Sequence, residues 1–440
     1  MFKVTEFLEY VSASLGMALA ISCYAIIGSL FQFDSGTWLL TGIALACLLC
    51  LIVAGATAEL AMRFPAAPGL RTYFKKAFGN EFSLFLIFIY LSIVILIASV
   101  ETYAFGEILQ VLEIDISRIW TGILLILLIA IVNLSGYEMA VRVQLGSVIL
   151  LVGAMVFIAC YAMVSEPVQS VEVLASAEKT DPIIALATIV AISLFLFVGF
   201  EWVTPMGRNA QAYQRMIPLS MVCGIVVLGG LYGLFAYASS LHLDVNVLQN
   251  AVAPQLLLGE SLFGVKGTYI LAGLSFLAMF TSFNVGMLGA SRLVYAIARE
   301  GELPAWFTRI SLRTLAPYSA IITLSVCSML SSIVTNAYAL QYDLANTAVM
   351  ITCIIYTAII TAALRLRNTQ GELDSMFALP RYLLIPMALV FLVLAFVLLF
   401  ENLSTPAPFI LVLTSVLSFL YAYRNRFYTA FKNNSISITK

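Results

Sequence analysis

Twelve nearly uninterrupted apolar runs, separated by short polar stretches, account for most of the 440 residues. They lie near 10–32, 37–62, 82–112, 118–136, 142–164, 183–207, 216–240, 267–298, 316–336, 341–364, 380–400 and 405–423. Crossing a hydrocarbon core of ~30 Å takes about 20 helical residues, which these runs supply. Backbone N–H and C=O groups find no water at that depth, so each run is predicted to be a helix that satisfies them internally. The third and eighth runs, about 30 residues each, would reach ~45 Å at ~1.5 Å per residue. Tilt, or extension past the bilayer, is therefore expected for both.

Two runs break the apolar pattern. Segment one carries Ser12, Ser14, Gly16, Ala20, Ser22 and Gly28; segment six carries Gly199, Glu201, Thr204, Pro205 and Gly207. A carboxylate in hydrocarbon costs about 2.5–3.5 kcal/mol on insertion scales and is retained where it faces protein or a water-filled path. Glu201 lies between a glycine and a proline, the residues that best accommodate a broken helix. Segments one and six also open two five-helix halves of opposite direction, 10–164 and 183–364, with the long segments three and eight in matching places. Interrupted helices at corresponding positions of inverted repeats point to a transport site. The expected architecture is an all-α integral membrane protein. It has twelve transmembrane helices in a five-plus-five inverted repeat with broken helices 1 and 6. Two additional helices follow at 380–423, all within one domain spanning 1–440.

Composition agrees: 62% of residues are hydrophobic, 10% are charged and the mean hydropathy is +1.03, far from the values of a soluble domain. With the N-terminus placed in the cytoplasm, 19 of the 22 basic residues fall on the inner side, leaving Arg118, Lys179 and Lys266 outside with most loop acids. This positive-inside bias predicts both termini in the cytoplasm and a place in the cytoplasmic (inner) membrane. No cleavable leader is expected. The seven cysteines sit in apolar segments and read as small packing residues, the Cys47/Cys50 pair included. The sole histidine, His242, is expected to be exposed in an outer loop. No nucleophile–base pair, phosphate loop or metal-ligand cluster is visible, so neither enzymatic activity, a cofactor, a metal nor a nucleic-acid partner is expected.

Three motifs resemble the amino acid–polyamine–organocation superfamily of amino acid permeases. The first is Ala58-Glu59-Leu60-Ala61-Met62-Arg63-Phe64-Pro65, continuing through Gly69, Thr72-Tyr73 and Ala77-Phe78-Gly79. The second is Phe197-Val198-Gly199-Phe200-Glu201 with Gln214-Arg215 and Ile217-Pro218. The third runs from Asn284 through Leu288-Gly289-Ala290-Ser291-Arg292 and Tyr295-Ala296 to Leu303-Pro304. They occur in the family's order and spacing across most of the chain. The resemblance implies the leucine-transporter-like fold, in which the substrate's carboxylate meets free N–H groups at the break in segment one and its ammonium meets carbonyls at the break in segment six. Helix-end electrostatics supports that arrangement. The chain departs from the family at Ala20-Ile21-Ser22-Cys23-Tyr24, where both glycines are lost, and at Arg71, which replaces a tyrosine. Arg208-Asn209 stands where the family has an acidic pair. No lysine occurs in Gln144–Val152, where some members carry one in place of a sodium ion.

The candidate substrate-binding residues are Ala20, Ile21, Ser22, Cys23 and Tyr24 at the first break, and Phe197, Val198, Gly199, Phe200 and Trp202 at the second. Gly199 would let substrate approach the backbone, and Trp202 could stack on a cation. Glu101, deep in segment three, would favour a cationic side chain, with pairing to another polar group as the alternative. Glu201 is the candidate for proton coupling or gating; a structural carboxyl bonded to unwound backbone is the other reading. Thr281 and Ser282 are weaker candidates for a sodium ion, with interhelical hydrogen bonding as the competing role. Glu59 and Arg63, one turn apart, are expected to pair. Together these features predict secondary transport of amino acids or related amines by alternating access, coupled to protons or sodium. The alternatives are an exchanger or exporter of the same compounds and a non-transporting membrane sensor. The partners expected are the small-molecule substrate and the lipid bilayer; oligomeric state has no signature in the sequence.

Overall fold

The structure, a computed structural model, describes residues 4–20, 22–33, 37–65, 69–166, 182–244, 247–248, 251, 253–371 and 377–438. Every regular element among them is helical. The first half comprises α1 (Val4–Ala18), α2 (Ser22–Leu30), α3 (Thr37–Arg63), α4 (Leu70–Phe78), α5 (Asn80–Val111), α6 (Arg118–Leu134) and α7 (Tyr137–Val164). Next come α8 (Pro182–Ser193), two 3-10 segments at Leu194–Phe197 and Phe200–Met206, and a π-helical turn at Ala212–Met216. The rest is α9 (Ile217–His242), α10 (Pro254–Phe263), α11 (Val265–Arg299), α12 (Tyr318–Tyr338), α13 (Gln341–Gln370), α14 (Arg381–Glu401) and α15 (Ala407–Ile438), with a 3-10 turn at Ala305–Thr308.

Among the described residues, ten helices are long and apolar enough to cross a membrane, or eleven if the α1/α2 pair, bent by 57°, counts as one span. Helix α6 matches the fourth apolar run but has 17 residues, below that length. The two long runs are single helices, α5 with 32 residues and α11 with 35. With α13 they are the most enclosed: 67%, 78% and 72% of the most apolar windows of α5, α11 and α13 are buried, against 17% for α14 and for α15. The core is thus built around α5, α11 and α13, while the last two helices lie at the periphery. Helix α1 packs on α7, α9, α11 and the Phe200–Met206 segment; α5 packs on α6, α11, α12, α13 and α15.

One expectation needs correction. His242 is not exposed: it ends α9, is 4% exposed, and its Nε2–H donates to the Ala162 carbonyl at 2.7 Å. The polar tail beyond Asn425 continues α15 as helix. The loops near 63–81 and 241–266 contain the short helices α4 and α10.

Two ionic networks tie helix ends together on the arginine-rich face. Glu59 is fully buried and accepts hydrogen bonds from Arg63 Nε and Nη2 at 3.1 and 3.0 Å, and from Arg367 Nε at 2.9 and 3.0 Å. The expected Glu59–Arg63 pair is therefore present, and Arg367 extends it from α3 to α13. Arg71, also fully buried, donates to Asn80 O and Oδ1 at 3.1 and 2.6 Å and to Glu300 Oε2 at 2.8 Å, where Lys75 Nζ meets the same oxygen. Burial pushes the Glu300 carboxyl up, but Lys75 and Arg71 outweigh it and hold it below its ordinary range. The substitution of the family's tyrosine by Arg71 thus joins α4, the start of α5 and the end of α11.

Candidate functional site

Helix α1 stops at Ala18, and the chain turns through Leu19 and Ala20 before α2 begins at Ser22. A broken helix leaves carbonyls without intrahelical donors. Here other elements supply them. Ala18 O accepts from Tyr232 Oη of α9 at 2.6 Å and from Cys23 Sγ at 3.1 Å; Met17 O accepts from Ser282 Oγ of α11 at 3.0 Å. Ala20, Cys23 and Tyr24 are buried, with Tyr24 edge-on to Phe235 at 5.0 Å. Ile21 and the side chain of Ser22 lie outside the described residues.

The second break falls at Val198–Gly199, where extended backbone at Val198 is followed by φ +111° at Gly199. A side chain on Gly199 would place its Cβ 2.4 Å from Met17 Cγ and 2.9 Å from Met17 Cβ. The space beside Gly199 is therefore filled by the end of α1, and the two breaks touch directly. The missing side chain of Gly199 and its left-handed backbone serve this contact with Met17.

One step on, Glu201 is 1% exposed and bridges two other helices. Tyr90 Oη of α5 donates to its Oε1 at 3.1 Å, and Tyr356 Oη of α13 donates to its Oε2 at 2.9 Å. Tyr356 Oη also lies 3.5 Å from the Gly199 N–H. A buried carboxylate needs such donors, and phenol hydroxyls provide them without adding a charge. Trp202 stacks on Tyr90 with ring centroids 4.2 Å apart at 13°, while Phe200 leans on Tyr356 at 5.6 Å. Trp202 is completely buried and its ring partner is a tyrosine, so it offers no open face to a cation. Phe197 packs edge-on against Tyr232 at 6.0 Å. The second break and Glu201 thus form a clamp that holds segment six to α5 and α13.

Glu101 is 1% exposed on α5 and close enough to Cys23 and Tyr232 to interact with both electrostatically. Its carboxyl therefore adjoins the first break, on the side where α9 caps the free carbonyl. Thr281 and Ser282 are fully buried on α11; Thr281 Oγ1 donates within its own helix to Ala278 O at 2.9 Å, and Ser282 donates to Met17 O. The Ser282 hydroxyl thus joins α11 to α1, while that of Thr281 turns back onto its own helix. Nearby, Gln144 Oε1 accepts from Asn284 Nδ2 at 2.9 Å, and Asn284 Oδ1 accepts from Asn133 Nδ2 at 2.9 Å. This amide chain runs between α7, α11 and α6 at the level of Gly16, where a side chain would fall 1.9 Å from Gln144 Nε2.

The residues that sequence reasoning missed are Tyr90, Tyr232, Tyr356, Gln144 and Asn133. Their available signal was a polar tip inside an apolar run, which must find a partner when buried. Twelve per cent aromatic content hid it for the tyrosines.

The amino acid permease family model matches residues 6–420. The chain belongs to the amino acid permease family. An uncharacterized amino acid permease of Bacillus subtilis (strain 168), YecA, is 26% identical over 161 residues, 36% of this chain and 37% of that protein. The vacuolar cationic amino acid transporter 8 of Arabidopsis thaliana is 24% identical over 188 residues, covering 41% and 31%. The human cystine/glutamate transporter is 29% identical over 141 residues, covering 31% and 27%. These matches span about a third of each relative's length. Among solved structures, a nucleobase-cation-symport-1 family transporter in a closed conformation with bromovinylhydantoin bound aligns with TM-score 0.60 and 13% identity, over 97% of this chain and 93% of that one. The Eremococcus coleocola manganese transporter aligns with TM-score 0.54 and 16% identity, over 96% and 94%. Both likenesses concern the fold, and it is a fold of transporters. The family and the long apolar helices together make this permease an integral membrane protein.

Proposed function

We propose that this permease carries amino acids or related amines with a cationic side chain across the cytoplasmic membrane by alternating access. In this reading α6 is the twelfth span, the two broken segments are related by an inverted repeat, and both termini face the cytoplasm, as the arginine-rich face suggests. The observation that carries the reading is the bridge from Glu201 to Tyr90 and Tyr356, placed where two broken helices touch. An ionised Glu201 accepts from both tyrosines and clamps segment six to α5 and α13, closing the path on its cytoplasmic side. A protonated Glu201 has one oxygen fewer to offer as an acceptor, and the clamp loosens. The proton is thereby linked to opening of the inner path.

Glu101 supports the substrate class. A buried carboxylate beside the first break attracts an ammonium or guanidinium and penalises an acidic side chain. Some relatives are named cationic amino acid transporters, which agrees with that choice.

The decisive experiment is radiolabelled uptake into proteoliposomes, with pH and sodium gradients imposed separately and arginine, ornithine, alanine and glutamate in competition. The expected result is saturable uptake of arginine or ornithine that follows the pH gradient. Glu101→Gln should lose the preference for cationic competitors, and Glu201→Gln should lose the pH response. No saturable flux of any amino acid would favour the sensor; flux that requires a counter-substrate inside would favour the exchanger.

A further inference from the structure

Among the described residues, one charged group lacks the partner its position calls for. Arg292, near the cytoplasmic end of α11, is partly buried, and its guanidinium lies over the Tyr137 ring at 3.7 Å. Its strongest electrostatic neighbours are Tyr137, Tyr213, Arg208 and Tyr10, none of them a carboxylate. Glu9 is engaged elsewhere, pairing with Arg208 at 2.8 Å. A cation removed from water without a counter-charge costs several kcal/mol, so an arginine in this setting is suited to an anion that comes and goes.

The second observation is independent of the first. Tyr213 Oη, Tyr73 Oη and Thr204 Oγ1 are buried without a hydrogen-bond partner among the described residues. Tyr213 lies within electrostatic reach of both Arg292 and Tyr73. Thr204 lies against Gly69, whose carbonyl accepts from the Tyr73 N–H at 3.2 Å. Each such orphan costs about 1–3 kcal/mol; Tyr213 adjoins Arg292, and Tyr73 adjoins Tyr213 in turn. Thr204 belongs to the 3-10 helix Phe200–Met206, which leads away from Glu201 by about 10 Å at ~2 Å per residue.

We propose that Arg292, with the hydroxyls of Tyr213, Tyr73 and Thr204, forms a second binding site, for the carboxylate of the amino acid, on the cytoplasmic side of the Glu201 clamp. The proposal rests on the alternating-access reading, because these groups receive substrate only when the inner path opens. The Arg292 guanidinium binds the carboxylate ionically and the hydroxyls complete its hydrogen bonds.

The test has two arms. In the first, the purified full-length permease is unfolded thermally in sodium chloride and in sodium acetate of equal concentration. Acetate should raise the wild-type midpoint by about 2 °C or more. Arg292→Gln should lose that rise, while Arg215→Gln, at an exposed position of the π turn, should keep it. Tyr213→Phe should lose no stability in chloride, since no bond is removed, yet should show a smaller acetate effect. In the second arm, transport is measured from each face of oriented proteoliposomes. Arg292→Gln should raise the cytoplasmic-face KM for L-arginine about tenfold, the scale of one charged hydrogen bond, and leave the other face within about twofold. Agmatine, which lacks the carboxylate, should be unaffected. An absent acetate effect in the wild type, an equal effect in Arg292→Gln, or equal KM changes at both faces or for both probes would overturn the proposal. If L-arginine is not carried at all, the substrate class proposed above fails, and the acetate arm still decides this site.

Discussion

If Glu201 closes the inner path, removing one hydroxyl of its clamp should release that path by a calculable amount. Tyr356→Phe deletes the 2.9 Å bond to Oε2 and leaves the ring, its contact with Phe200 and the 3.1 Å bond from Tyr90 in place. A hydrogen bond to a charged group contributes about 1.5–3 kcal/mol net, so the ratio of unclamped to clamped molecules should rise roughly 10- to 150-fold. The readout is the labelling rate of a cysteine at Thr204, which is fully buried beside the clamp, in a background where the seven native cysteines are replaced. A membrane-impermeant maleimide applied from the cytoplasmic face should react faster by that factor in Tyr356→Phe, and by a somewhat smaller one in Tyr90→Phe. Wild-type labelling should accelerate as pH falls and Glu201 protonates, and Glu201→Gln should make the rate flat with pH. Adding Tyr356→Phe to Glu201→Gln should change the rate by less than it does alone, because both act on one bond. Unchanged labelling in both phenylalanine variants, with their thermal midpoints also unchanged, would refute the clamp.

Other consequences concern stability. Gly199→Ala forces a Cβ to within 2.4 Å of Met17 Cγ at φ +111°; thermal unfolding should show a loss of about 2–4 kcal/mol, partly recovered by adding Met17→Ala. Glu59→Gln leaves Arg63 and Arg367 facing a neutral amide in a buried setting; a loss of about 3–5 kcal/mol is expected, read as a fall in midpoint and in the yield of monodisperse protein. The lowered pKa of Glu300 makes its stabilisation complete above about pH 4.3, the unfolded value, and lost as pH falls through the folded one. Midpoints measured from pH 3 to 7 should therefore show an acid limb that Glu300→Gln flattens, at a cost of about 1–3 kcal/mol at neutral pH.

What could be read from the sequence divides along physical lines. The helices were legible because an apolar run in lipid has one economical backbone solution, and α5 and α11 stand where segments three and eight were expected. The second break was legible because Gly199, Glu201 and Pro205 each make a continuous apolar helix costly in a different way. The first was legible through family resemblance, since Ala20 and Cys23 do not themselves disfavour a helix. Contacts between distant segments were not legible. Tyr90 and Tyr356 lie 111 and 155 positions from Glu201, and in one dimension a tyrosine in an apolar run is only another aromatic. The same blindness explains Gly199: its need for a small side chain was visible, but only the fold shows that Met17 fills the space. It also explains His242, whose place at the end of a run suggested solvent until the Ala162 carbonyl appeared beside it. Local chemistry thus announced where the chain must break and where a charge must be compensated. The identity of the compensating group depends on which helices the fold brings together. That is why Arg292, in the sequence only one residue of a motif, becomes informative once its neighbours prove to be three tyrosines and another arginine.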